Sequence, residues 1–377
     1  MFEGFTRTEI ETSGARIHLR HGGDGPPLLL LHGNPLTHVS WHKIAPRLAE
    51  RFHVVAADLR GYGDSVGPDD GGENNINYSF RAMAQDQVEV MEKLGYREFF
   101  VAGHDRGART TARMCLDHPE RVKRAALIDI LPNHHIWTHT SKEWALRSWH
   151  WALMAQPYDF PERMLAGVPA QWYMEKKLSK TGIGLGFFDP EAFAEYVRCF
   201  NCKTIKGSCA DYRACPTCDF DMDKADFDAG RKITVPLLVI WGARSHTEGV
   251  HGDVLAVWQR GYATDARGGP LPCGHYVPEE APEETRSWLL RHFAEPQRPY
   301  SPHPPRCARH PLPRCRRGAK QALLKAPLPH RGRGGTRRAS GGWVRVGEGL
   351  HPAADDVEES LALFDSDRED GAFEGSW

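Results

Sequence analysis

Glu98-Phe99-Phe100-Val101-Ala102-Gly103-His104-Asp105-Arg106-Gly107-Ala108-Arg109 is the stretch on which the reading of this chain turns. Residues 98–102 form a short apolar run with strand character, and Arg106 to Leu116 has helical spacing ended by Asp117-His118-Pro119. Between them, Gly103-x-Asp105-x-Gly107 sets one side chain on a sharp strand-to-helix turn at the carboxyl end of a sheet. The flanking glycines suit the strained dihedrals and close backbone packing of such a turn. Serine usually stands at the centre of this pattern; here it is aspartate. A carboxylate attacking an acyl carbon would give a labile anhydride. Attack on a saturated carbon bearing a leaving group gives an ester that water can cleave later. Asp105 therefore points to displacement at carbon, dehalogenation or epoxide opening ahead of ordinary esterolysis, although an aspartate here would also serve as a plain helix cap.

Displacement followed by ester hydrolysis requires a base for water, a group orienting that base, and donors for a developing oxyanion. His275, in Gly274-His275-Tyr276-Val277-Pro278-Glu279-Glu280, lies on a loop before the final helix. Asp129 ends the strand Ala125-Ala126-Leu127-Ile128, so the chain order is nucleophile, acid, histidine. His32-Gly33-Asn34-Pro35 follows the apolar run Leu28 to Leu31. The backbone amides of Asn34 and Arg106 are the expected oxyanion hole, the first following a histidine-glycine turn and the second following the nucleophile.

Strand and helix patterns alternate outward from this centre as in a mostly parallel sheet with helices on both faces. Arg16 to Arg20, Leu28 to Leu31 and Val54 to Ala57 read as strands, and Trp41 to Glu50 and Phe80 to Leu94 as helices. The alternation stops after Asp129, resumes at Val235 to Trp241, and closes with a helix from Pro282 to Phe293. The expected organisation is an α/β core over residues 1–132, a helical cap over 133–225 rich in Trp, Tyr and Phe, and a second core segment over 226–295.

Residues 296–377 differ in kind. The chain of 377 residues has a formal net charge of −1, yet Arg298 to Arg345 carries 13 Arg or Lys and no acid, and the segment after Glu348 is acidic. Such a segment lacks the apolar surface to offset its ordering entropy, so it is expected to be disordered apart from a short acidic helix over Ala354 to Phe364. Its arginines would suit phosphates, but the composition fits a solvated appendage better than a nucleic-acid arm. The amino terminus shows no secretory signal and no apolar run is long enough to span a bilayer. Nine cysteines, an odd number, suggest reduced thiols and a cytoplasmic location.

His32-Gly33-Asn34-Pro35, Asp58-Leu59-Arg60-Gly61-Tyr62-Gly63-Asp64-Ser65, Asp105-Arg106-Gly107-Ala108-Arg109 and Gly274-His275 together resemble the α/β-hydrolase-fold dehalogenases, most closely those acting on fluoroacetate or haloacetate. The resemblance runs from about residue 3 to 293. It implies an α/β-hydrolase fold with an inserted cap, no cofactor, a small haloacid substrate and a homodimer. Haloalkane dehalogenases and many epoxide hydrolases carry Trp after the nucleophile; this chain has Arg106, with Arg109 one helical turn beyond Asp105. Two guanidiniums beside a helix amino terminus suit a substrate carboxylate. The halide site that the resemblance implies is His150 and Trp151, in Trp149-His150-Trp151, with Tyr212 in Asp211-Tyr212-Arg213.

Two other readings compete. An epoxide hydrolase would share the triad and use two cap tyrosines from Tyr158, Tyr173, Tyr196 and Tyr212; the paired arginines argue against it. Cys199-x-x-Cys202 and Cys215-x-x-Cys218 are spaced like a zinc ribbon, which with the basic tail would suit a zinc- and nucleic-acid-binding protein. A zinc knuckle there would enclose Tyr212 and disturb the halide site, so structural thiols and no metal are expected.

Overall fold

Apolar runs such as Pro27–Leu31 and Leu237–Gly242 have no polar alternation, and in the computed structural model they are interior strands covered on both faces. Successive side chains point to opposite faces. Leu28, Leu30, Val54, Ala56, Ala126 and Ile240 pack under one face with Ala45, Leu48, Leu289 and Phe293. Leu29, Leu31, Val55, Ala57, Leu127 and Val239 pack under the other with Met83, Met91, Ala108 and Met114. The structure describes residues 1–179 and 184–294.

The strands are β1 (Thr6–Glu11), β2 (Arg16–Gly22), β3 (Pro27–Leu31), β4 (His53–Ala57), β5 (Phe99–His104), β6 (Val122–Ile128), β7 (Leu237–Gly242) and β8 (Ala266–Leu271). They form one sheet in the order β1-β2-β4-β3-β5-β6-β7-β8, antiparallel in the β1/β2 and β2/β4 pairs and parallel elsewhere. The two outermost strands were not evident in the sequence. β1 is polar and half exposed, and β8 reads Ala-Arg-Gly-Gly-Pro-Leu, because an edge strand needs only one partner and tolerates glycine and proline. Gly268 has φ +152° and approaches β7 so closely that a Cβ would lie 1.7 Å from the carbonyl oxygen of Val239. The helix expected over residues 41–50 is a 3-10 turn, His38–Trp41, followed by a short helix, Ala45–Leu48. Pro46 lies in the first turn of the second element, where its missing N–H costs nothing but cannot extend a preceding helix.

Between β6 and β7 the described residues form eight helices, from Asn133–Thr138 to Cys218–Asp228, the last ending three residues beyond the expected cap boundary. They lie at the carboxyl ends of the parallel strands, where an open α/β sheet places its ligands. No helix of the described residues is long and apolar enough to cross a membrane. The described residues fall within one unit of the chain, Met1–Ser301, and the disordered tail expected over 296–377, with its acidic helix, lies outside the described residues.

Candidate active site

Asp105 stands between β5 and the helix Arg106–Asp117 with φ +50° and ψ −112°. The unusual dihedrals belong to Asp105 itself, and the flanking glycines serve close packing. A Cβ on Gly107 would lie 2.4 Å from the Leu31 carbonyl oxygen, and one on Gly103 would lie 2.3 Å from the Gly107 carbonyl oxygen. A non-glycine residue held at positive φ is strained, and such strain is commonly stored where chemistry happens.

Asp129 and His275 meet at this point. The Nδ1 of His275 is 2.5 Å from Oδ2 of Asp129, and its Nε2 is 3.8 Å from Oδ2 of Asp105. Asp129 also accepts from the Gly242 amide at 3.0 Å, Ser245 Oγ at 2.7 Å and Thr247 Oγ1 at 3.2 Å. These partners orient the acid and hold it ionised: burial would raise its pKa, but the His275 and Ser245 bonds outweigh that and lower it. They lie more than a hundred residues downstream of Asp129, and nothing local in the sequence marks them.

Burial would likewise raise the Asp105 carboxyl. The positive potential of His275 and then Arg106, with the Asn34 amide, holds it far below the usual carboxylate range instead. The Asn34 amide donates to Oδ1 of Asp105 at 2.9 Å, which puts it beside the atom where an oxyanion would form on an aspartyl ester. The Arg106 amide opens the following helix, among the N–H groups a helix leaves unpaired. His104 bonds the His275 carbonyl through Nε2 at 2.8 Å, and burial followed by the charge of His275 pushes its pKa down to about 4. It is a neutral positioning group that sequence reading missed.

The two arginines separate. Arg109 is buried, donates to Asn133 Oδ1 at 3.2 Å, and packs its guanidinium 4.7 Å from the Trp151 ring centroid. Among the described residues no carboxylate pairs with it, its Nε has no hydrogen-bond partner, and burial lowers its pKa. Arg106 reaches the cap, its guanidinium 4.2 Å from the Tyr212 ring centroid. Its Nε lies 2.8 Å from Oδ2 of Asp211, its Nη2 bonds Oδ1 of the same residue, and its Nη1 lies 2.9 Å from Cys215 Sγ. Burial opposes the charge on Arg106, but Asp211 outweighs it and holds the pKa above the usual arginine value. The two arginines expected to bind a substrate carboxylate thus differ in their surroundings, Arg106 held by Asp211 beside the Tyr212 ring and Arg109 lining the cavity. Asp211, adjacent in sequence to Tyr212, was the available signal.

His150, Trp151 and Tyr212 do converge. The Tyr212 ring centroid is 5.6 Å from that of His150 and 5.9 Å from that of Trp151, and the Tyr212 hydroxyl donates to Asn34 Oδ1 at 3.3 Å. His150 and Trp151 line a small cavity of about 40 Å³ together with Asn34, Asp105, Arg109 and His275. That volume suits only a few heavy atoms, since one water occupies about 10–15 Å³ on this measure. Lys177 also lines it and is buried, a residue the sequence reading did not single out.

The other tyrosines of the cap are engaged elsewhere. Tyr158 is 69% exposed, Tyr173 stacks on Phe200 at 4.5 Å, and the Tyr196 hydroxyl donates to Glu279 Oε1 at 2.5 Å. The cysteine pairs stand at opposite ends of the helix Cys202–Ala214, which its 13 residues make about 20 Å long at 1.5 Å each. A single ion cannot bridge that span. The metal-compatible cluster found among the described residues is His18, His38 and Asp58. There Asp58 already accepts from both imidazoles and from two backbone amides, so its lone pairs are committed to structure.

The α/β-hydrolase-fold family profile matches residues 26–166. A fluoroacetate dehalogenase of Burkholderia sp. is 40% identical over 294 residues, covering 78% of this chain and 95% of its own length. The chain belongs to the α/β-hydrolase family that contains the fluoroacetate dehalogenases. A soluble epoxide hydrolase of Corynebacterium sp. (strain C12) is also similar to this hydrolase, at 30% identity over 77% of this chain and 97% of its own. Among solved structures, a protein of Nostoc sp. PCC 7120 assigned to the α/β hydrolases shares 50% identity with a TM-score of 0.75, covering 78% of this chain and 99% of that one.

Proposed function

We propose that this hydrolase converts a short 2-haloacid, fluoroacetate or another haloacetate, to the 2-hydroxy acid through an ester on Asp105. The observation that carries this reading is Arg109, a buried guanidinium without a carboxylate partner among the described residues, in the same small cavity as the Asp105 carboxylate. Leaving a charge buried and unpaired is costly, and an anionic substrate supplies the missing partner.

In the first step an Asp105 oxygen attacks the α-carbon, the carbon–oxygen bond forms, and the carbon–halogen bond breaks with its electron pair on the halide. His150, Trp151 and Tyr212 would receive that ion; each hydrogen bond to a charged group is worth about 1.5–3 kcal/mol. In the second step His275 takes a proton from water, and the resulting hydroxide adds to the ester carbonyl of Asp105. Negative charge gathers on the carbonyl oxygen beside the amides of Asn34 and Arg106. Collapse breaks the acyl–oxygen bond, the 2-hydroxy acid leaves with the proton held by His275, and Asp105 is regenerated. Asp129 stabilises the imidazolium formed in between.

The similarity to an epoxide hydrolase makes ring opening the competing reading. It needs two tyrosines aimed at one ring oxygen. Of the four cap tyrosines, Tyr158 is exposed, Tyr173 stacks on Phe200 and Tyr196 bonds Glu279, which leaves Tyr212 beside the site, while Tyr276, next to His275, lines the cavity from the core.

The test is halide release from fluoro-, chloro- and bromoacetate, set against bromoacetamide and a small epoxide. With His275→Asn, haloacetate should add mass to the peptide containing Asp105, because the ester forms and is not cleaved. Equal turnover of epoxides or neutral haloalkanes, or added mass at another residue, would overturn the reading.

A further inference from the structure

Glu279 and Glu280 follow the loop of the catalytic histidine as a pair, and their side chains take different partners. The short helix Val277–Glu280 begins after Tyr276. In the usual capping arrangement the third residue of a helix reaches back to the amide of the residue that precedes the helix. That third residue is Glu279, and its Oε1 takes the Tyr196 hydroxyl of the cap instead, at 2.5 Å. Glu280, the fourth, reaches back in its place. Its Oε1 accepts the Tyr276 N–H at 3.0 Å, and its Oε2 accepts the Gly274 N–H at 2.5 Å.

The second of these bonds goes beyond capping. Gly274 and Tyr276 flank His275, so one carboxylate, with an oxygen for each amide, grips the chain on both sides of the base. Between them the His275 carbonyl is bonded by His104 Nε2 at 2.8 Å. The loop also rests against the segment that supports Asp129. The Arg244 amide donates to the Cys273 carbonyl at 2.9 Å, and a Cβ on Gly242 would lie 1.9 Å from the Gly274 carbonyl oxygen. Gly242 and Ser245 of that same segment hold Asp129. Asp129 thus fixes the His275 ring at Nδ1, and the backbone gripped by Glu280 fixes it at the other end.

Resting on the two-step reading above, we propose that Glu280 is a positioning residue for water activation: its carboxylate sets the backbone that carries His275, and so governs ester hydrolysis and not ester formation. Attack by Asp105 on the α-carbon needs no base. Hydrolysis does, and it needs Nε2 within hydrogen-bond reach of a water that is itself aimed at the ester carbonyl. A misplacement of about 1 Å in such a geometry costs on the order of a hundredfold in rate. Glutamine cannot stand in for Glu280. Its side chain offers one acceptor oxygen and turns an NH2 donor toward the other N–H, which opens the grip on one side.

The experiment mixes full-length wild type, Glu280→Gln and Glu280→Ala with bromoacetate and follows the ester on the peptide containing Asp105 by rapid quench and mass analysis. Ester formation should keep close to the wild-type rate. Hydrolysis should slow by about 10- to 100-fold, so that ester accumulates in both variants. A residue serving folding alone would lower the melting temperature and the active fraction, and would slow both steps alike. Equal slowing of the two steps, or hydrolysis at the wild-type rate, would overturn the assignment. If Glu280→Ala does not fold, Glu280→Gln, of the same size, carries the measurement. A second readout needs no substrate: the downfield proton resonance of His275 Nδ1–H on Asp129 should exchange with water faster in the variants. Should the wild type form no ester with any haloacid, the function reading fails, and this resonance decides the role of Glu280, unchanged exchange overturning it.

Discussion

Arg106 and Asp211 form a buried ion pair that joins the nucleophile helix to the cap, with Nε 2.8 Å from Oδ2, a second nitrogen on Oδ1, and the Tyr62 hydroxyl donating to the same carboxylate at 2.5 Å. The guanidinium lies 4.2 Å from the Tyr212 ring centroid and 4.7 Å from that of Phe80. One residue thus gives its amide to the catalytic turn and its side chain to the seam between core and cap. Removing one partner of a buried pair typically costs about 3–5 kcal/mol, because the other charge stays behind. Asp211→Ala should therefore lower the melting temperature by more than about 6 °C, read by calorimetry at neutral pH. A melt within a degree of wild type would show that the pair contributes little.

Among the described residues Arg109 has no such partner, so its replacement should behave differently. Arg109→Leu removes a charge that the substrate is expected to satisfy, at a typical cost of 2 to 5 kcal/mol, or roughly 30-fold to several thousand-fold in kcat/KM for a haloacetate. Stability should hold or rise, since a buried cation without a carboxylate is replaced by an apolar side chain. A large fall in melting temperature would mark Arg109 as structural.

Asp105 is held far below the usual carboxylate range, so it stays ionised in mild acid. In the wild-type protein, within a single turnover before the ester is hydrolysed, the rate of Asp105 alkylation by bromoacetate should be flat from neutral pH down to about 4, the ordinary aspartate value. Rapid-quench mass analysis across that range is the check. A decline centred near 4 would mean that the nucleophile titrates as a free carboxyl.

Asp219 shows the opposite shift. Burial, followed by Asp223 and Asp211, pushes its pKa up to about 8; its Oδ1 accepts the Phe80 amide at 3.0 Å while its Oδ2 has no partner. From about 4, where the unfolded residue titrates, up to the folded value, the folded chain keeps a proton that the unfolded chain has lost. This residue's contribution to stability therefore falls as pH rises through that window. Asp219→Asn keeps the acceptor for Phe80 and removes the titration. It should stabilise the protein at pH 8 by on the order of 2 kcal/mol and flatten the pH dependence of its melting between about 4 and 8.

Tyr212→Phe removes the hydroxyl that donates to Asn34 Oδ1 and that the proposed mechanism turns to the departing halide. Fluoride needs more solvation as it departs than bromide does. The variant should lose about tenfold or more in fluoroacetate turnover, the loss expected for one bond to a developing ion, and markedly less with bromoacetate. Equal losses on both substrates would place Tyr212 outside halide stabilisation.

Much of this was legible along the chain because it is local. The turn at Asp105, the order Asp105, Asp129, His275, and the buried strands β3 to β7 each announce themselves within a few residues, through glycine spacing or an unbroken apolar run. What escaped is where the local signal is weak or misleading. β1 and β8 are polar or glycine-rich edges, and the helix expected over 41–50 is interrupted by Pro46.

By itself the sequence determined which residues can do chemistry: a carboxylate on a strained turn, a histidine and a second acid in a workable order, and aromatic and basic side chains nearby. Only the tertiary structure decided which of those charges pair across the fold and which line the cavity. Asp211 sits 105 positions from Arg106, yet the cap helix that carries it folds onto the nucleophile helix and neutralises that guanidinium. Arg109 and Lys177, 68 positions apart by their numbers, end in the wall of the same cavity. Spacing along a chain fixes neighbours only within a helix or strand. Across the seam between core and cap, the cost of leaving a buried charge unmatched selects the partners, and that cost exists only once the chain has folded.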